Sequence, residues 1–211
     1  VALVGGDTTR GPLSVCVTVH GFVEPGMALR RDGARFGDEV WVSGTLGDAA
    51  GALMQWEGKG KGGQVGFSAK TQPDPLSLAL RARLDRPTPR VALGRALRGI
   101  ATACIDVSDG LLADLGHVCT ASGVGARIDV EALPGSDALR ACFGREQQRV
   151  LQATGGDDYE LCFTAPADAR DAVLQTAASG GVPVLRIGHV DAARGVIACS
   201  VDGSAWSAPA A

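Results

Sequence analysis

Three short acidic motifs, each embedded in glycine and apolar residues, constrain this chain most. They are Gly5-Gly6-Asp7-Thr8-Thr9, Ile105-Asp106-Val107-Ser108-Asp109-Gly110 and Gly155-Gly156-Asp157-Asp158-Tyr159-Glu160. An ionised carboxylate taken out of water must be paired or must bind a metal. Each motif follows or sits inside a strand-like apolar run, and no Lys or Arg stands beside its acids. Hard oxygen ligands with small neighbours suit Mg²⁺ and the phosphates of a nucleotide. The pattern reads as the acidic, metal-binding part of a phosphoryl-transfer enzyme.

The motifs differ in what they offer. Asp7 projects from a tight turn where backbone amides can approach a phosphate while the carboxylate holds a metal; an Asx-type turn that ends a strand is the plainer alternative. Asp106 and Asp109 straddle a strand end and a helix start, so both can reach one ion or two adjacent ions. Ser108 or Asp109 also suits a helix N-cap, a role that leaves Asp106 unexplained. Asp157, Asp158 and Glu160 crowd like charges that a cation or a donor-rich ligand would compensate, the alternative being a solvated acidic turn. Arg30, Arg31 and Arg35 are candidate phosphate donors, at least one of them idle. His20, His117 and His189 show no metal-ligand spacing, and His117 reads as packed or capping.

A net charge of −3 gives no basic stripe for nucleic acid. No run approaches the roughly 18 apolar residues of a membrane span, and no basic start leads into an apolar core, so neither a membrane nor a signal peptide is expected. The six cysteines lack any CxxC pair and lie mostly in apolar runs, which predicts buried free thiols and a cytoplasmic location.

Strands are expected at residues 1–4, 13–23, 38–43, 101–107, 125–130 and 161–164, with a strand pair at 184–187 and 195–201. Glu24-Pro25-Gly26 reads as a turn. Helices are expected at 49–56, 74–84, 91–100, 111–122, 136–143, 146–153 and 167–178. Residues 27–38 form a polar, basic connection and a candidate domain boundary. Gly58-Lys59-Gly60-Lys61-Gly62-Gly63 matches G-x-G-x-x-G but follows a helix, so it is read as a flexible loop. Ala69-Lys70-Thr71 lacks the glycines of a P-loop. The alternation predicts an α+β chain with mixed sheets.

Taken together the motifs resemble the thiamine-monophosphate kinase family, within the superfamily of aminoimidazole ribonucleotide synthetase and selenophosphate synthetase. The residues that carry the resemblance are GGDTTRGP (5–12), HGFVEPG (20–26), GTLGDAAGAL (44–53), RPTPR (86–90), IDVSDGLLADLGH (105–117), GARIDVEALP (125–134) and GGDDYELCFT (155–164). The resemblance implies that residues 1–30 are the last strands of an N-terminal metal- and ATP-binding domain. Residues 31–211 would be the C-terminal α+β domain, like that of aminoimidazole ribonucleotide synthetase. It implies transfer of the γ-phosphoryl group of ATP to thiamine monophosphate with Mg²⁺. Asp7, Asp106 and Asp109 would be Mg²⁺ ligands; Gly6, Asp7, Arg31 and Ser108 would contact ATP; and Asp157, where the family often has Glu, would face thiamine monophosphate. No residue is expected to form a covalent intermediate.

The resemblance further implies a homodimer in the full-length protein and an N-terminal region, missing here, with further metal-binding acids. Two rivals remain. One is another ATP-using enzyme of the superfamily, acting on a purine-pathway intermediate or on selenide. The other is a non-catalytic Mg-ATP-binding module, which the incomplete acid set favours.

Overall fold

The computed structural model describes residues 2–8, 10–58 and 74–208. Residues 59–63 of the glycine-lysine run, and Ala69-Lys70-Thr71, lie outside the described residues.

Six strands of the described residues form one mixed sheet in the order β2-β4-β1-β5-β3-β6. They are β1 (Glu39–Ser43), β2 (Ala103–Asp106), β3 (Gly125–Asp129), β4 (Leu161–Ala165), β5 (Val184–Asp191) and β6 (Gly195–Cys199). All neighbours are antiparallel except β3 and β6. The helices are α1 (Asp48–Trp56), α2 (Pro75–Asp85), α3 (Val91–Ala96), α4 (Leu111–Ser122), α5 (Asp137–Cys142), α6 (Arg145–Thr154) and α7 (Arg170–Gly180). The α+β class is as expected, and most elements fall within a few residues of their predicted places. The strand pair expected near the C-terminus is not a hairpin, because β3 is inserted between β5 and β6.

The sequence of β1 explains its central position. All five residues of Glu-Val-Trp-Val-Ser are buried, and alternate side chains of a strand leave on opposite faces. Val40 and Val42 therefore enter one core with Ile105, Leu111, Leu115, Ile128 and Ile187. Trp41 enters another with Leu93, Leu97, Phe163 and Val173. Helix α4 covers the first face, while α3 and α7 cover the second. Trp41 stands directly opposite Phe163 on β4, their rings stacked with centroids 6.5 Å apart. A third cluster, built on Ala52, Leu80, Leu139, Phe143 and Leu151, joins α1, α2, α5 and α6 beside the sheet.

The expected strands at residues 1–4 and 13–23 are absent from the described residues. A strand is held by the hydrogen bonds of a neighbouring strand, and no ladder reaches this segment. Its alternating apolar side chains are correspondingly exposed, Val15 by 81% and Val17 by 80%. The turn that closes it is present: Met27 N–H donates to Glu24 C=O at 3.0 Å, with Gly26 at φ 79°. After the turn the chain docks on the sheet edge, where Cys104 N–H donates to Arg30 C=O at 2.9 Å.

All six cysteines are free; Cys119 and Cys162 are buried, but Cys16 is exposed on the unpaired segment. Among the described residues no helix is long and apolar enough to cross a membrane.

Candidate functional site

The second and third acidic motifs are brought side by side by the pairing of β2 with β4, which sets Asp106 opposite Leu161. The pairing continues past both strand ends. Val107 N–H donates to Glu160 C=O at 2.8 Å, Tyr159 N–H to Val107 C=O at 2.8 Å, and Asp157 N–H to Ser108 C=O at 2.9 Å. Two glycines permit this approach. A Cβ on Gly156 would lie 2.4 Å from Ser108 O. Gly110, at φ 117°, opens α4 where a Cβ would meet Thr154 O at 2.6 Å, a conformation and a clearance that only glycine satisfies.

The helix-cap alternative for the second motif is corrected by the structure. The N-cap of α4 is Gly110, with no side-chain cap. Instead Asp114, one turn into the helix and 2% exposed, reaches back. Its Oδ2 accepts the Ser108 N–H at 2.9 Å and the Asp109 N–H at 3.0 Å. Asp109 is thereby released from capping. Asp106 and Asp109 are exposed, and neither carboxylate makes a hydrogen bond or ion pair among the described residues. The sequence signal for Asp114 was an acid inside the apolar stripe Leu111, Leu115 and Val118, which sequence reasoning passed over.

The three acids of the third motif have separate fates. Glu160 is fully buried and takes four donors: Ser43 Oγ at 2.6 Å, Arg83 Nη2 at 2.8 Å, and Arg90 Nε and Nη2 at 2.7 and 2.6 Å. Two arginines therefore compensate it, and no metal is required. Asp158 is 1% exposed and accepts the Gly47 N–H at 2.8 Å. Burial pushes its carboxyl up to about 7, against the opposing pull of the Gly47 amide.

Only Asp157 is exposed. It and Tyr159 are non-glycine residues in the left-handed region, at φ 64° and 51°, the kind of backbone strain that clusters at ligand sites. The Tyr159 hydroxyl donates to Asp157 Oδ1 at 3.3 Å. The negative charge of Asp157 pushes the phenol up, followed by burial and the hydrogen bond to Asp157 and then by the charges of Asp106 and Asp109, so three exposed carboxylates share one local field.

The first motif does not join them. Gly6 and Asp7 lie on the exposed, unpaired segment, and among the described residues Asp7 Oδ1 accepts only the neighbouring Thr8 N–H at 2.7 Å. Among the described residues no group of three or more His, Cys, Asp or Glu is placed to hold a metal ion. The pair Asp106 and Asp109 still fits Mg²⁺ by donor type, being hard, solvent-facing oxygens without a cationic partner. Arg31 lines a cleft of about 570 Å³ that also contains Asp106, Arg95 and Arg98. Arg30, on the same wall, is taken up by Asp32 at 2.6 and 2.8 Å, as expected of an idle arginine. His117 is exposed rather than packed.

Residues 35–199 match the family model for AIR synthase related protein, C-terminal domain. The chain is 45% identical over 190 residues to the thiamine-monophosphate kinase of Salmonella typhimurium, which covers 90% of this chain and 56% of that protein. A crystal structure of thiamine-monophosphate kinase from Stenotrophomonas maltophilia K279a superposes with TM-score 0.75 at 51% identity, covering 87% of this chain and 56% of that one. AaThiL complexed with AMPPCP and TMP superposes with TM-score 0.67 at 33% identity, covering 84% and 53%. The chain thus spans a little over half the length of the relatives it matches.

Proposed function

The chain belongs to the AIR synthase-related family through its C-terminal domain, and we propose that it serves in the ATP-dependent phosphorylation of thiamine monophosphate to thiamine diphosphate. The observation that carries this reading is the continued pairing of the Asp106–Asp109 loop with the Asp157–Tyr159 loop, which gathers three exposed carboxylates at one place. Similarity to thiamine-monophosphate kinases, and to a relative complexed with AMPPCP and TMP, supports it.

In this reading Asp106, Asp109 and Asp7 would hold Mg²⁺, Asp7 from a segment that does not join the other two in this structure. The metal supplies neutralisation of phosphate charge, which a chain without a P-loop lysine needs from another source. Arg31, Gly6, Asp7 and the Ser108 side chain bind and orient ATP. Asp157 orients thiamine monophosphate so that a phosphate oxygen of the acceptor lies in line with the γ-phosphorus; the new P–O bond forms as the bond to ADP breaks. Positioning, not a covalent intermediate, is the protein's contribution. Residues 1–30 are assigned to the end of an N-terminal domain and 31–211 to the C-terminal domain. A cytoplasmic homodimer is the assembly that the family reading carries with it.

A second reading is favoured by one observation: Asp7 joins no group of metal-ligating side chains among the described residues. It would make the chain a Mg-ATP-binding module without turnover. Mass spectrometry of thiamine monophosphate incubated with Mg-ATP and the chain decides between them. Thiamine diphosphate that disappears with Asp109→Asn supports the kinase; Mg-ATP binding without product supports the module; neither binding nor product overturns both.

A further inference from the structure

Asp158 is a buried acid that the proposed chemistry does not use. Its side chain is flanked by the two left-handed residues Asp157 and Tyr159, so side chains 157 and 159 are exposed while 158 points inward. Strained residues of this kind persist only where their surroundings over-determine them. Two constraints are the amides of Asp157 and Tyr159, bonded to the Ser108 and Val107 carbonyls. The third lies between them. Asp158 Oδ2 accepts the Gly47 N–H at the start of α1, and the Asp158 carbonyl accepts Arg83 Nη2 at 3.3 Å.

We propose that Asp158 is a positioning residue, whose clamp on the start of α1 holds the backbone that presents Asp157 and Tyr159 to the substrate. Its part in ligand binding rests on the kinase reading above; its part in holding the backbone does not.

The details favour a clamp over a ligand. Asp158 Oδ1 is buried and has no hydrogen-bond partner among the described residues, an arrangement costly for an ionised group and far less so for a neutral carboxyl. The groups that act on it are Asp48 and the Gly47 and Ala49 amides from α1, and Arg83 from α2. Asp48 opposes its ionisation, whereas the amides and Arg83 favour it. Asn has the shape and neutrality of the protonated acid and keeps an acceptor for Gly47, so it is the conservative replacement.

The test compares the chain with Asp158→Ala and Asp158→Asn. NMR three-bond couplings report φ at residues 157 and 159, and calorimetry measures thiamine monophosphate and Mg-ATP separately. In Asp158→Ala both residues should leave the left-handed region. Thiamine monophosphate should weaken at least about tenfold, about 1.4 kcal/mol, with Mg-ATP affinity nearly unchanged. Asp158→Asn should restore both readouts.

Left-handed φ values retained in Asp158→Ala, equal loss of both ligands, or failure of Asp158→Asn to rescue would each overturn the proposal. A wild-type chain that binds no thiamine monophosphate would defeat the kinase reading, while the couplings would still decide the clamp. If Asp158→Ala does not fold, the wild type supplies the test. Its Gly47, Asp157 and Tyr159 amide shifts should move with one common midpoint, near the value of about 7 to which burial pushes Asp158, and separate midpoints would overturn the clamp.

Discussion

Arg90 grips Glu160 with both prongs of its guanidinium, Nε at 2.7 Å and Nη2 at 2.6 Å from the two carboxylate oxygens of a side chain with no solvent exposure. Arg90 precedes α3, Glu160 precedes β4, and Arg83 adds a third donor from α2. The network fastens the α2–α3 region to the motif that carries Asp157.

Arg90→Ala should destabilise the chain by about 3 kcal/mol, the lower end of the range for breaking a buried ion pair, because Arg83 still serves Glu160. Arg90→Lys should recover only part, since an ammonium cannot reproduce the fork. Urea denaturation measures both; equal stability of Arg90→Ala and the wild type would refute the arrangement.

Asp114→Ala should act at the site through the backbone. It strips the side-chain acceptor from the Ser108 and Asp109 amides, costing about 1–3 kcal/mol of stability. Mg²⁺ affinity should fall as the loop bearing Asp106 and Asp109 loosens. Titration with Mn²⁺ as a spectroscopic stand-in, alongside Asp109→Ala, would check it; unaltered metal affinity would contradict the role assigned to Asp114.

Gly156→Ala should damage the site more than the fold. Its Cβ would lie 2.4 Å from Ser108 O, which forces apart the loops that bring Asp157 to Asp109. Calorimetry should show thiamine monophosphate binding reduced at least about tenfold, about 1.4 kcal/mol. Wild-type affinity in this variant would mean that the loops need not touch.

Stability should carry a pH signature from Asp158. Its folded value, pushed up to about 7 by burial, lies above the unfolded value of about 3.9. The folded state therefore binds more protons between these values, and stability falls as pH rises through that window. Below it both states are protonated and the contribution vanishes; above it the full cost of a buried charge remains. Asp158→Asn should flatten this slope in denaturation curves collected across the window.

Phe163→Ala should cost about 3–5 kcal/mol, because the ring is buried and stacked on Trp41 across the β1–β4 ladder. Loss of near-ultraviolet ellipticity from Trp41 would accompany it. A change below about 1 kcal/mol would contradict the packing.

Much of this molecule follows from local sequence. Periodicity predicts α4 over residues 111–122, the span observed, because an apolar stripe at helical spacing has one way to bury itself. Val40, Trp41 and Val42 make β1 a strand wanted on both faces, and glycines mark where the acidic motifs turn. The pairing of motifs two and three is not legible locally, since Ser108 and Asp157 are far apart in sequence and meet only through the β2–β4 register. The alternating apolar residues at 13–19 carry the pattern of a strand without its ladder, because pairing needs a neighbour that this part of the structure does not offer.

Sequence by itself determined the strands and helices from residue 39 onward to within a few residues, the α+β class and the set of acids available for chemistry, all of which depend on side-chain type and spacing along the chain. Tertiary structure decided which acids remain free to act. Glu160 is neutralised by Arg83 and Arg90, Asp114 holds the loop amides, and Asp158 is sealed against α1, so that Asp106, Asp109 and Asp157 are left facing solvent. That division is electrostatic: a carboxylate is available to a ligand only where the fold neither buries it nor gives it a cation, and both conditions are set by residues distant in the chain.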